Sequence, residues 1–394
     1  MVTQPASTPS ATYAPSTRPD SSLLPLKWLF GLISFLLKSG SELTRLTGEM
    51  HHTIAQAPLP FARDVEADLQ KAPRAYRFIG ALLEHGADQI HHWLEGIPDG
   101  DHLPVHLRRF RAGINGVMGD KLQEWRHPLA LDMKWVDAEG HAVDLPALQA
   151  SHPKGVALFL HGLCLSEWDW QCDSNRRFVA ELTEQGYGVA WLRYNSGLPI
   201  WENGAALARL LEQQWSPAAA GSLVLVGHSM GGLLIRSALS QANDAGWTHA
   251  VTHAAYLASP HAGAPLERIG NFANSLLGVS PYSKPLMALG NIRSLGIRSL
   301  RHGNVTPPLD ASENQVPLPL QEGVHHFLLA ASLAGDPSKR WIGDGLVPVQ
   351  SALGESHFPA GEGQVERVYI DNMGHMKLLQ DERTYAALRS WLQA

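Results

Sequence analysis

The hexapeptide Gly227-His228-Ser229-Met230-Gly231-Gly232 follows the apolar run Leu223-Val224-Leu225-Val226 and precedes a helix-like segment, Leu233 to Gln241. A serine is thereby set on a strand-to-helix turn, the geometry of a nucleophile elbow. Such a turn is so tight that the positions two before and two after the serine must carry almost no side chain, and Gly227 and Gly231 stand there. The turn lifts the Ser229 hydroxyl to a strand tip and aims the Met230 N–H at the place where an oxyanion would form. The plainer reading is a glycine-rich turn that closes a βα unit. A base, an acid and a second oxyanion donor elsewhere in the chain would decide between the two.

All three have candidates. Gly155 to Leu160 reads as a fully buried strand ending in His161-Gly162-Leu163, where a glycine-loosened loop can turn the Leu163 N–H toward the same point. Val365 to Ile370 reads as a strand leading into Asp371-Asn372-Met373-Gly374-His375, so His375 is the candidate base. Between them, Gly343-Asp344-Gly345-Leu346-Val347-Pro348 follows the apolar stretch Phe327 to Ala331 and presents Asp344 as the orienting carboxylate. Asp371 is the rival acid. His161 and His228 read as structural polar groups beside the site, and His261 as a residue lining its mouth. With Gly162 they make up the expected substrate-binding positions.

The chain order Ser, Asp, His belongs to the α/β-hydrolase fold. The motifs Leu160-His161-Gly162, Gly227 to Gly232, Ser259-Pro260-His261-Ala262-Gly263, Asp344 to Pro348 and Gly374-His375 resemble the lipase/esterase branch of that superfamily. Within it the chain is most similar to bacterial triacylglycerol lipases and GPI inositol-deacylase-like hydrolases. The resemblance covers about residue 150 to the end. It implies a catalytic triad of Ser229, Asp344 and His375, with Leu163 and Met230 as the oxyanion hole. It also implies a carboxylic ester hydrolase acting on lipid or acyl esters through an acyl-enzyme, with no cofactor. One departure is that His161-Gly162-Leu163-Cys164 lacks the glycine run of some esterases. Two alternatives stay open: acyl transfer or amidase chemistry on the same triad, and a non-catalytic membrane-docking or binding protein.

From His127 onward, strands alternate with helices. Leu129 to Val136 and His141 to Leu145 suggest an opening hairpin, followed by strands at Gly155–Leu160, Gly188–Tyr194 and Ala250–Leu257 and helices at Phe178–Gln185 and Leu207–Trp215. The expectation is an α/β fold with a doubly wound, mostly parallel sheet over residues 128–394. Residues 262–322, rich in proline, read as a cap or lid at the mouth of the site.

A chain of 394 residues exceeds the size at which single cores stop growing. Residues 23–127 accordingly read as a separate helical domain, behind a Ser/Thr/Pro/Ala-rich tail at 1–22 expected to be disordered. Leu23 to Leu37 is apolar on nearly all sides, but as a helix it spans roughly 22 Å at about 1.5 Å per residue, short of the roughly 30 Å hydrocarbon core. A helix buried in the domain and a helix dipping into a membrane surface both fit, and no signal peptide is expected. The expected location is cytoplasmic, with peripheral membrane contact through these helices as the variant. Apolar stripes run through Leu43, Leu46, Met50 and Ile54, and through Tyr76, Ile79, Leu83, Ile90 and Leu94. The pairs His51-His52 and His91-His92 point about 100° apart on a helix and form no chelating face, so no metal is expected. A net charge of −6 gives no attraction to nucleic acid. Cys164 and Cys172 read as reduced packing residues, with a local disulfide as the alternative.

Overall fold

The computed structural model describes residues 30–42, 44, 74–95, 105–217, 221–242, 245–265, 268–269, 272, 294–307, 318–358 and 365–393. The expected tail at 1–22, the start of the apolar run, the stripe from Leu43 to Ile54, the pair His51-His52 and much of the 262–322 insertion lie outside these residues. The chain divides into two compact units, Met1–His102 and Leu103–Ala394.

In the first unit, helix α1 (residues 30–42) lies along helix α2 (Arg74–Glu95). Ser34 Oγ donates to the Ala87 carbonyl at 3.0 Å and Ser41 Oγ to the Gly80 carbonyl at 3.0 Å, so the helices run antiparallel. Hydroxyls reach a neighbouring backbone only where the facing side chains are small, and Gly80 and Ala87 are both buried. This corrects the expected stripe. Ile79 is 47% exposed, as are its neighbours Phe78 at 71% and Leu82 at 61%, because the contact face of α2 runs through small residues one position away. No helix among the described residues is long and apolar enough to cross a membrane.

The second unit is built on a seven-stranded sheet: β1 (Lys134–Val136), β2 (Gly155–Leu160), β3 (Tyr187–Arg193), β4 (Ser222–His228), β5 (Val251–Leu257), β6 (His325–Ala331) and β7 (Val365–Ile370). The order is β1-β3-β2-β4-β5-β6-β7, with β1 antiparallel to β3 and every other pair parallel. Strands covered on both faces need apolar residues at every position, and all six residues of β2 are buried. Val156, Leu158 and Leu160 pack on the face that carries helices α4 (Leu145–Ser151), α6 (Ile200–Gln214) and α7 (Met230–Gln241). Ala157 and Phe159 pack on the opposite face, against α5 (Asp173–Glu184) and the C-terminal helix Glu382–Leu392. The sheet is therefore doubly wound, as its βα rhythm implies.

Two expectations change. The opening hairpin shrinks to a three-residue β1 and a single bridge between Val136 and Ala142, because Leu145 begins α4 behind an Asp144 cap. The division between units falls after His102 and not near residue 127. Helix α3 (Val105–Glu124) belongs with the sheet: Asn195 Nδ2 donates to the Gly119 carbonyl at 2.9 Å and Ser294 Oγ to that of Gly116 at 2.6 Å. Ser294 also caps helix α8 (Leu295–His302), a regular element within the insertion between β5 and β6 that reads as a cap or lid. Both cysteines are free. Cys164 is buried beneath Gly116 of α3, and Cys172 caps α5 through its sulfur, which accepts the Asn175 N–H at 3.4 Å.

Candidate active site

In an open α/β sheet, the crevice at the carboxyl ends opens where successive connections run to opposite sides, here between β2 and β4. Ser229 stands at this point. It has φ 54° and ψ −122°, a region that costs a non-glycine residue about 1–3 kcal/mol. The surrounding packing maintains it. The Ser229 N–H donates to the Leu257 carbonyl of β5 at 2.8 Å, and a Cβ on Gly231 would sit 2.4 Å from the Leu160 carbonyl oxygen. Only glycine lets α7 start this close to the end of β2.

Asp344 and His375 come from the loops after β6 and β7, neighbours in the sheet. His375 Nδ1 lies 2.7 Å from Asp344 Oδ2, and both residues are at most 5% exposed. The other carboxylate oxygen, Oδ1, accepts the N–H groups of Leu346 at 2.9 Å and Val347 at 2.8 Å. With two N–H donors on Oδ1, the carboxylate side chain is placed as an acceptor, so His375 donates from Nδ1 to Oδ2 and its Nε2 is left as the acceptor nitrogen. The main chain repeats the link, because the His375 N–H donates to the Asp344 carbonyl at 3.0 Å. Gly343 and Gly345, at φ 66° and 97°, permit the loop to fold back on itself this way. His375 Nε2 is buried and makes no hydrogen bond, so the final link to the Ser229 hydroxyl is not closed. From the insertion, Phe272 presents its ring edge-on to the His375 imidazole, with centroids 5.6 Å apart. Asp371 is not part of this group. It faces Arg383, 3.5 Å away on the surface.

The loop after β2 closes the other side. A Cβ on Gly162 would lie 3.0 Å from Ser229 Cβ, which puts this loop directly against the elbow. Its backbone is held from behind, where the Cys164 N–H donates to Ser196 Oγ at 3.0 Å and the Tyr194 hydroxyl donates to the His161 carbonyl at 2.8 Å. Met230 opens α7, where first-turn N–H groups have no acceptor within the helix. The loop continues into a turn at Glu167–Trp170 whose Glu167, 1% exposed, pairs with the buried Arg193 at the end of β3. Arg193 Nε donates to Glu167 Oε1 at 3.1 Å. Removing Glu167 takes the carboxylate from a buried guanidinium that keeps its bond to the Gly140 carbonyl, so Glu167→Ala is expected to lower stability by about 3 kcal/mol, read as a shifted urea midpoint.

The histidines divide. His161 stacks on Tyr194 at 4.3 Å and its Nδ1 lies 2.9 Å from the Gly162 carbonyl; burial pushes its pKa down to about 4. His228 is fully buried beside His375, with ring centroids 4.7 Å apart, and burial holds it well below the ordinary histidine range. His261 is not brought to this group. It is 1% exposed, its Nδ1 lies 3.4 Å from Arg236 Nη1, and its ring meets Tyr256 and Phe358 edge-on. A cavity of about 690 Å³ opens beside the next residues, lined by Ala262 to Pro265, Arg301 and Ser351 among others, and neither Ser229 nor His375 lines it. The partners Ser196, Tyr194 and Arg193 had no motif to announce them; each is set by where β3 lies beside β2.

Residues 205–330 match the family described as PGAP1-like alpha/beta domain. No curated protein matches the chain. Among solved structures it is similar to the mature form of Bacillus licheniformis lipase BlEst2, at 19% identity over 66% of this chain and 98% of that one, with a TM-score of 0.42. It is also similar to the Pyrococcus furiosus esterase Pf2001, at 18% identity over 62% and 84% with a TM-score of 0.35. A third likeness is to alpha/beta hydrolase domain-containing protein 10 from mouse, at 14% identity over 67% and 92% with a TM-score of 0.38. With its strand order and its serine on the β4–α7 turn, the chain has the α/β-hydrolase fold, and its residues 205–330 are similar to the PGAP1-like alpha/beta domain.

Proposed function

We propose that the protein is a serine hydrolase that cleaves carboxylic esters, with lipid or acyl esters as its substrates. The observation that carries this reading is the buried 2.7 Å bond between His375 and Asp344, with the His375 imidazole 4.7 Å from the ring of His228, the residue before a serine held on a strained elbow. A structural histidine needs no dedicated carboxylate at its far nitrogen, and a structural turn needs no strained serine. In the reaction, His375 Nε2 takes the hydroxyl proton as Ser229 Oγ attacks the ester carbonyl, and Asp344 stabilises the imidazolium. The N–H groups of Met230 and Leu163 hold the tetrahedral oxyanion. His375 returns the proton to the departing alcohol, and water, deprotonated by the same imidazole, releases the acid from Ser229.

Phe272 above His375 supports an apolar acyl chain as the part of the substrate nearest the base. The exposed Phe78, Ile79 and Leu82 on α2 favour peripheral contact of the first unit with a lipid surface. The test is a panel of p-nitrophenyl esters of increasing chain length, run with wild type and Ser229→Ala, with alcohol and amine acceptors added to detect transfer. Hydrolysis that rises with chain length and vanishes in the variant is the expected result. No turnover of any ester by wild type would retire the reading.

A further inference from the structure

We propose that His228 is a positioning residue for the base, acting by donating from Nε2 to the main-chain carbonyl of His375. The proposal rests on the reading of Ser229, Asp344 and His375 as a triad. Its geometric basis is separate from theirs. His228 Nε2 lies 3.3 Å from the His375 carbonyl oxygen, and a carbonyl can only accept, so the proton must sit on Nε2. His228 Nδ1 is buried and bonds to nothing, which leaves no competing partner to draw the proton to the other nitrogen.

The contact joins two parts of the fold that the sheet does not join. His228 ends β4 and is covalently next to Ser229, whereas His375 follows β7, and β5 and β6 lie between those strands. Asp344 holds the N–H and Nδ1 of His375 from one side. On the other side, the His375 carbonyl is held by His228. The ring itself has little freedom, since the Trp170 indole meets it edge-on with centroids 6.4 Å apart and the His375 imidazole lies against it. The serine and the base are thus referenced to each other through one imidazole. That imidazole must be neutral, because a second positive charge beside His375 would oppose the imidazolium formed in each half-reaction. Burial enforces this state.

Two substitutions separate donation from packing. His228→Gln sets an amide N–H near the position of Nε2, and His228→Met matches that length with no donor. A misplacement of reacting groups by about 1 Å costs about 100-fold, so the Met variant is expected to lose about that factor in kcat with KM little changed. The Gln variant should recover most of the loss, both unfolding cooperatively near the wild-type temperature. The second readout is the downfield proton resonance of the His375 Nδ1–H shared with Asp344, expected to persist in Gln and to broaden or shift in Met. This resonance reports the placement of His375 whether or not any ester turns over. A wild type inactive on every ester with the resonance behaving as stated sinks the hydrolase reading and keeps the positioning role. A Met variant as active as wild type, or equal losses in Gln and Met with an unmoved resonance, overturns the proposal. Should Met fail to fold, His228→Asn, whose amide falls short of the carbonyl, takes its place under the same criteria.

Discussion

Ser229→Ala is expected to lower kcat by about 10⁴- to 10⁶-fold while leaving the unfolding transition nearly where it was. The loss is large because removing the nucleophile removes the covalent route altogether, and only the oxyanion donors and substrate binding remain. The fold survives because the Ser229 hydroxyl makes no hydrogen bond on which packing depends, whereas its N–H bond to Leu257 is main chain and remains. The backbone at this position makes a sharper variant available. At φ 54° and ψ −122° any Cβ is strained, and glycine is not. Ser229→Gly should therefore be as inactive as alanine yet more stable than wild type, by about 1 kcal/mol once the greater freedom of glycine in the unfolded chain is subtracted. Thermal unfolding of the two variants beside wild type measures the difference. A glycine variant less stable than alanine would mean that the elbow is not held under strain.

Asp344→Asn is expected to cost about 10⁴-fold in kcat, and the surrounding hydrogen bonds explain why so small a change does so much. The Leu346 and Val347 N–H groups, at 2.9 and 2.8 Å, require an acceptor at Oδ1. An asparagine must answer them with its carbonyl oxygen, which turns its NH₂ group toward His375. Nδ1 of His375 then has to accept, its proton moves to Nε2, and the nitrogen proposed as the base becomes a donor. The imidazole stays in position in the wrong tautomer. Stability should change little, because every hydrogen bond is kept with its direction reversed at one link. Steady-state kinetics give the loss, and the downfield Nδ1–H resonance should vanish in the variant. Asp371→Asn, at the exposed partner of Arg383, should leave both readouts unchanged.

Much of this arrangement is local and was legible in the chain. β2 coincides with the apolar run that marks it, since a strand buried on both faces has no polar position to blur its ends. β7 also falls where the sequence reads a strand, although at the sheet edge it carries Glu366 and Arg367 and buries only Ile370. The elbow was legible for a related reason: a turn this tight admits only glycine beside the serine, so its sterics are written into residues 227 to 232. The Gly-Asp-Gly loop is similar, with both glycines at positive φ. Reading failed where the deciding contact was remote. Spacing alone puts Ile79 in the apolar stripe of α2, but the partner helix brings hydroxyls that need Gly80 and Ala87. His261 reads as lining the mouth because it follows β5, yet Arg236 of α7 draws its ring into a buried cluster. Helix α3 reads as part of the first unit because it precedes the first strand, whereas its glycines seat Asn195 and Ser294 of the second.

The division has a physical origin. Backbone sterics, hydrophobic periodicity and the chemistry of a serine on a tight turn act over a few residues, and they specified the strands and the elbow. Which nitrogen of His375 carries the proton, how its carbonyl is anchored, and which charges are neutralised behind the β2 loop depend on groups distant in the chain. Those were decided only when the sheet order set β4, β6 and β7 side by side or two strands apart, because hydrogen bonds act over about 3 Å and a linear sequence carries no such distance.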